Sequence, residues 1–210
     1  MTLIREVVLV HGVWVPGLVM VPLAARLARE GFRCHRFGYR GKGRPIAANA
    51  GDLVRFARRV GAAHFVGHSL GGLVILQALN EHADVAAGNV VLLGTPARGS
   101  FSGRRLARHP IGRWMLGETQ PLWQHGETMR WKRTERLGII AGTLPMGLGR
   151  ALGRLPGPND GVVCVDETAV EGMSERITLR VGHSAMLVSP RVALQTAVFL
   201  REGRFLDEAA

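Results

Sequence analysis

Strand-sized apolar runs alternate with helix-length segments along the first half of the chain. No other feature of the sequence constrains the fold as strongly. Glu6 to Val10 is short, β-branched and stopped by His11-Gly12, as a buried strand is. Val19 to Glu30 places Leu23 and Leu27 on one helical face and ends at Gly31. Phe32 to Phe37 reads as a second strand, Ile46 to Val60 as a helix closed by Gly61, and His64 to Val66 as a third strand. Leu70 to His82 is apolar nearly all round, which predicts a deeply buried helix, and Asn89 to Leu93 follows as a fourth strand. A strand, a helix and a parallel strand form the basic right-handed crossover. Its repetition predicts an α/β fold: a mostly parallel six-stranded sheet with helices on both faces.

The rhythm breaks after the fourth strand. Thr95 to Leu137 has no strand pattern and holds Trp114, Trp123 and Trp131, three of the chain's four tryptophans. It then resumes with a strand at Gly138 to Gly142, a glycine- and proline-rich loop through Asp160, a sixth strand at Ile177 to Val181 and a closing helix from Pro190 to Arg201. The expected organisation is one domain over residues 1–210, with residues 96–136 inserted as a helical cap or lid. The charge is concentrated near the same place. The formal net charge is +11, and Pro96 to Pro158 holds eleven Arg or Lys against three acids. Such a segment suits an anionic substrate or an anionic membrane surface. It lacks the aromatic interleaving of a single-strand binder, so no nucleic-acid partner is expected.

Gly67-His68-Ser69-Leu70-Gly71, with Gly72 following, fits the G-x-S-x-G pattern. A strand leads directly into it and a helix directly out of it, and this context gives the pattern its meaning. A sharp turn there lifts the Ser69 hydroxyl off the sheet and sets it at a helix N-terminus, where free N–H groups favour negative charge. Ser69 is therefore the candidate nucleophile. His11-Gly12-Val13 ends the first strand, so the N–H groups of Val13 and Leu70 are candidates for an oxyanion hole. A serine hydroxyl needs a base. Of eight histidines, His183 follows the last strand and precedes the last helix, in the order nucleophile, acid, histidine. His68 adjoins Ser69, but neighbouring side chains on a tight turn are expected to diverge, and His11 is expected to brace its loop. Asp160, in Asn159-Asp160-Gly161, is the preferred acid, with Asp166 as the alternative. Trp14, Leu18, Trp114, Leu116 and Met186 are candidates to line an acyl pocket.

On these residues the chain resembles the α/β-hydrolase superfamily, and within it the small bacterial lipases and esterases. The resemblance rests on His11-Gly12, Gly67 to Gly72, Thr95-Pro96 with Gly99-Ser100, Asn159-Asp160-Gly161 and Gly182-His183, and so spans nearly the whole chain. It implies an α/β-hydrolase fold, a triad of Ser69, Asp160 and His183, an oxyanion hole from Val13 and Leu70, and ester hydrolysis with no metal or organic cofactor. Dehalogenase and epoxide hydrolase relatives carry Asp where Ser69 stands, which disfavours those activities. The chain starts at what would be the family's third strand. Its arginine-rich insert also differs from the apolar lid of a triglyceride lipase.

The leading expectation is thus an esterase or lipase acting on a small ester or acyl substrate. An acyltransferase or thioesterase with the same triad is the alternative, and a non-catalytic binding protein the third reading. No apolar run approaches the ~18 residues of a membrane span. Met1 to Glu6 leads straight into a strand with no signal-peptide pattern, so a cytoplasmic location is expected. Cys34 and Cys164 match no metal or redox spacing and are expected to be buried thiols.

Overall fold

The computed structural model describes residues 4–13, 17–40, 43–110, 113–114, 117, 129–146 and 155–207. Its six strands are β1 (Glu6–Val10), β2 (Arg33–Phe37), β3 (Ala63–His68), β4 (Ala87–Leu93), β5 (Leu137–Gly142) and β6 (Glu175–Leu179). They form one sheet in the order β2-β1-β3-β4-β5-β6, and every neighbouring pair is parallel. The α-helices with described bounds are α1 (Val21–Arg29), α2 (Ile46–Val60), α3 (Leu70–Glu81), α4 (Phe101–Leu106) and α5 (Pro190–Glu202).

Alternation along the strands divides the core into two layers. Val8 and Val10 of β1, Phe65 of β3 and Val90 and Leu92 of β4 pack with α2 and α3 on one face. Val7, Leu9, Val66, Val91 and Leu93 point the other way and meet Leu23 and Leu27 of α1 and Val192, Ala197 and Phe199 of α5. Central strands covered on both faces must be apolar at successive positions, which is why they read as unbroken runs. Helix ends are set by local chemistry. Ser189 Oγ caps α5 by accepting from the Val192 N–H at 3.3 Å, Pro190 follows it, and Gly203 ends the helix at φ 72°.

β1 lies between β2 and β3, so the strand order reverses direction there. Loops leaving the carboxyl ends of strands at such a switch point diverge and open a crevice. The loop after β1 carries His11-Gly12-Val13, and the turn after β3 carries Ser69.

The sixth strand begins at Glu175 and ends at Leu179, two residues earlier than the expected Ile177 to Val181. β6 is an edge strand, and polar Glu175 and Arg176 can serve in its ladder. Cys164 is buried as expected, but Cys34 is only partly so. Among the described residues, no helix is long and apolar enough to cross a membrane.

The expected cap over residues 96–136 is described at its two ends. At the first, Ser100 Oγ accepts from the Gly103 N–H at 3.0 Å and starts α4. At the second, Trp131 is buried in the core and its Nε1–H donates to the Glu135 carbonyl at 2.7 Å. Arg133 pairs with Glu135 and also donates to the carbonyls of Leu79, His82 and Val85, which fastens this end to the close of α3. Residues 111–112, 115–116 and 118–128, Trp123 among them, lie outside the described residues.

Candidate active site

Ser69 sits between β3 and α3 at φ 54°, ψ −125°. It is the one non-glycine residue at positive φ among the described residues. Backbone of this kind costs about 1–3 kcal/mol and persists only where its surroundings hold it. Three hydrogen bonds do so: Ser69 N–H to the Leu93 carbonyl at 2.9 Å, Gly72 N–H to the Ser69 carbonyl at 3.0 Å, and Thr95 Oγ1–H to the same carbonyl at 3.1 Å. Close approach explains the glycines. A Cβ on Gly71 would lie 2.3 Å from the Val10 carbonyl oxygen and 2.5 Å from that of His11. A Cβ on Gly72 would lie 2.0 Å from Thr95 Oγ1. The first turn of α3 is therefore pressed against the end of β1, and a Cβ on Gly12 would come within 3.1 Å of Ser69 Cβ.

This contact sets the β1 loop beside the turn. Leu70 is buried and its N–H opens α3, where no carbonyl of the same helix lies one turn before it. Val13 is partly buried against the core. His11 braces the loop: its Nδ1–H donates to the Gly12 carbonyl at 2.7 Å, its Nε2 accepts from the Tyr39 N–H at 3.4 Å, and Tyr39 Oη–H donates to the His11 carbonyl at 2.8 Å. The two rings stack with centroids 4.5 Å apart. Burial lowers the His11 pKa and keeps the ring neutral.

Asp160 and His183 form a buried pair. Asp160 is 0% exposed, and its Oδ2 accepts from His183 Nδ1–H at 2.7 Å. Its Oδ1 accepts from the N–H groups of Val162 at 2.9 Å and Val163 at 2.7 Å. Three donors thus compensate a carboxylate withdrawn from water. The backbone joins the pair again, since His183 N–H donates to the Asp160 carbonyl at 2.9 Å. Asn159 shapes the turn, with Oδ1 accepting from Gly161 N–H at 3.0 Å and Nδ2–H donating to the Gly157 carbonyl at 2.9 Å. Gly94, at φ 54° after β4, leaves room for the pair: a Cβ there would stand 3.0 Å from Asp160 Oδ2 and 3.1 Å from His183 Nδ1. Asp166 is exposed. No hydrogen bond joins Ser69 Oγ to His183 Nε2 among the described contacts. Such bonds are often long before substrate tightens a site.

His68 adds a contact that the sequence did not suggest. Its Nε2–H donates to the His183 carbonyl at 3.1 Å, and the two rings lie 4.6 Å apart. Its Nδ1 is buried with no partner and faces Gly12, whose Cβ would lie 3.3 Å away. Burial, reinforced by the neighbouring His183, pulls the His68 pKa down to about 3, so the ring is neutral. It wedges between the β1 loop and the His183 turn. The contact spans 115 positions in sequence, and the only sequence signal was a histidine at the second position of the motif.

The expected pocket wall fares differently. Met186 is 0% exposed and belongs to the core beneath the acid turn, where its Cε would lie 2.7 Å from a Cβ on Gly142. It therefore offers no surface to a ligand. Leu18 and Trp114 are 71% and 70% exposed. Trp14 and Leu116 lie outside the described residues. Among the described residues, no three His, Cys, Asp or Glu side chains are grouped to hold a metal ion.

The model of the alpha/beta hydrolase family matches residues 7–192, and the chain belongs to that family. Among solved structures it is similar to the mature Bacillus licheniformis lipase BlEst2, with a TM-score of 0.79 at 18% identity over 95% of this chain and 91% of that one. It is also similar to a hydrolase from Pseudomonas aeruginosa, with a TM-score of 0.66 at 19% identity over 93% and 89% of the two chains. The Bacillus subtilis carboxylesterase CesB matches with a TM-score of 0.61 at 15% identity over 95% and 84%. These likenesses concern the fold. No curated protein matches the chain in sequence.

Proposed function

We propose that this hydrolase-family protein is a serine esterase that cleaves carboxylic esters through Ser69, His183 and Asp160. The observation that carries the reading is the buried 2.7 Å Asp160–His183 pair, taken together with a serine held at φ 54° on a strand-to-helix turn. Strained backbone costs stability and is maintained at sites of function.

Each residue has a defined part. His183 Nε2 takes the proton of Ser69 Oγ as the oxygen attacks the acyl carbon. Asp160 holds the imidazole with its proton on Nδ1, which leaves Nε2 free to accept, and it stabilises the imidazolium that forms. The N–H groups of Val13 and Leu70 receive the oxyanion, and one such donor is worth about 3 kcal/mol of transition-state stabilisation. As the tetrahedral intermediate collapses, the carbon–oxygen bond to the alcohol breaks and His183 returns the proton to the leaving oxygen. Water then attacks the acyl-enzyme by the same route in reverse and regenerates Ser69. No metal or organic cofactor enters these steps. Lipase and carboxylesterase are the activities named for two of the structural neighbours, which supports an ester as the substrate.

The test is turnover of a p-nitrophenyl ester series from acetate to palmitate by wild type and Ser69→Ala. The reading requires turnover of at least one ester and a loss of ~10³-fold or more in the variant. Absence of turnover on the whole series, or an active Ser69→Ala, contradicts it.

A further inference from the structure

Phe101, Arg104, Arg105 and Arg108 follow one another at the i, i+3, i+4, i+7 spacing that defines one face of a helix. They do so along α4 and the turn that continues it, where Ala107 N–H donates to the Gly103 carbonyl at 2.9 Å and Arg108 N–H to that of Arg105 at 3.1 Å. In a helix that packs on a core this spacing carries apolar side chains. Here the core side is the opposite one: Ser102 and Gly103 are buried, and Ser102 Oγ–H donates to the Val162 carbonyl at 2.6 Å, directly on the turn that holds Asp160. The arginine face points outward, and the carbon stems of its side chains line, with Phe101, a cavity of about 330 Å³ whose surface is almost wholly apolar.

Among the described residues these guanidinium groups meet no carboxylate at ion-pair distance. Elsewhere on the surface Arg33, Arg44, Arg55, Arg58, Arg130 and Arg201 each meet a carboxylate. Among the described residues Arg104, Arg105 and Arg108 form no ion pair. Arg104 feels the Glu167 carboxylate through space, but that group is already bonded to the backbone N–H groups of Phe101 and Cys164. Three like charges on adjoining turns of one segment repel, and a bound anion relieves that repulsion. The Arg105 guanidinium lies 5.7 Å from the centroid of the Phe101 ring, which sets a charged head beside this apolar surface.

We propose that this cavity binds a phosphate group joined to an apolar body, with the phosphate on the three guanidinium groups and the apolar part on Phe101. Guanidinium groups bind phosphate oxygens in pairs through parallel N–H donors, and a phosphate supplies enough oxygens and charge to engage more than one of them. The helix that presents the site is hydrogen-bonded to the acid turn. If the ester reading holds, the site selects acyl substrates that carry a phosphate. The binding itself does not depend on that reading.

The experiment measures binding by calorimetry at fixed ionic strength, using hexyl phosphate, inorganic phosphate and hexanol as probes. Sedimentation with vesicles of phosphatidylglycerol and of phosphatidylcholine runs beside it. Wild type is expected to bind hexyl phosphate saturably and more tightly than either inorganic phosphate or hexanol. The double variant Arg105→Gln/Arg108→Gln weakens it at least 10-fold. Phe101→Ala weakens hexyl phosphate while leaving inorganic phosphate unchanged. Selective binding of phosphatidylglycerol vesicles assigns the phosphate to a lipid headgroup, and saturable hexyl phosphate binding without vesicle binding assigns it to a soluble phosphate ester. An unchanged melting temperature and unchanged p-nitrophenyl butyrate turnover in the double variant show that fold and site are intact. The proposal is overturned if no phosphate-bearing probe or vesicle binds, or if the double variant binds as well as wild type. Binding is read without turnover, so a failure of the ester reading is seen separately.

Discussion

Replacing Asp160 with Asn tests the candidate acid more sharply than deleting it, because the surroundings dictate how the amide must lie. Oδ1 of Asp160 is held by two backbone donors, Val162 N–H at 2.9 Å and Val163 N–H at 2.7 Å. In the variant that position must be the amide oxygen. The reverse orientation would set an NH2 group against two N–H groups and leave both buried donors without acceptors, at about 1–3 kcal/mol each. The amide NH2 therefore faces His183 Nδ1, at the place where a carboxylate oxygen now accepts at 2.7 Å. An N–H donor there forces the imidazole proton onto Nε2, and the ring can no longer accept the Ser69 proton. The wrong tautomer costs ~10⁴-fold in turnover, or about 5 kcal/mol of barrier. The assay is kcat on p-nitrophenyl butyrate with the melting temperature measured alongside. The backbone bonds to Oδ1 survive, so the variant should fold and melt near wild type, whereas Asp160→Ala should melt clearly lower. Asp166→Asn, on an exposed side chain, should keep its activity within twofold. A loss below 10-fold in Asp160→Asn, or an equal loss in Asp166→Asn, refutes the reasoning.

Gly71→Ala should lower the melting temperature and reduce turnover, because the new methyl meets the carbonyl oxygens of Val10 and His11 at 2.3 and 2.5 Å, and overpacking costs about 1–3 kcal/mol. Wild-type stability in this variant would contradict the close approach. His68→Ala should cost about 1–3 kcal/mol in denaturant melts, since the His183 carbonyl loses its donor and the ring its neighbour; wild-type stability in this variant would contradict the contact. Stability should also fall with acid. Burial holds the folded-state pKa of His68 at about 3 and lowers those of His11 and His64, so the unfolded chain binds more protons below the unperturbed value of about 6.5. Their contribution is fully present above that pH and is lost as the pH drops toward 3. The slope is on the order of 1 kcal/mol per pH unit for His68. The buried Glu167 works in the opposite sense, because burial raises its pKa and favours the protonated form. Denaturant melts at pH 7, 6 and 5 measure the slope, and a flat result would contradict neutral buried histidines.

The sheet was legible because its strands are covered on both faces. Val7 to Val10 and Val90 to Leu93 are fully buried, so their apolar runs are unbroken and unmistakable. The edge strand β6 was displaced by two residues because only Leu179 of its five residues is buried, so no unbroken apolar run marks its bounds. Ser69 was legible because strand, turn and helix are consecutive in sequence, and His183 because chain order singles it out. What sequence did not show depends on contacts between distant segments. Asp160 and Asp166 are six residues apart in one loop, and only the folded turn buries one against His183 and leaves the other in water. His68, at the end of β3, meets His183, which follows β6, across 115 positions of sequence. Met186 looked like a pocket residue because its segment adjoins His183, yet the 3₁₀ turn at Ser184–Leu187 directs it into the core. The helical insert was expected, but the bounds of α4 were not legible, because six residues containing a glycine and two arginines give no clear periodic signal.

The central claim is that Ser69 is the activated nucleophile, and covalent labelling addresses it directly without knowledge of the substrate. The protein is incubated with a fluorophosphonate at pH 8 and the adduct is located by peptide mass spectrometry, with Asp160→Asn treated in parallel. The account predicts a single adduct on Ser69 that forms within minutes in wild type and ~10³-fold or more slowly in the variant. An unlabelled protein, or an adduct on another residue, would contradict it.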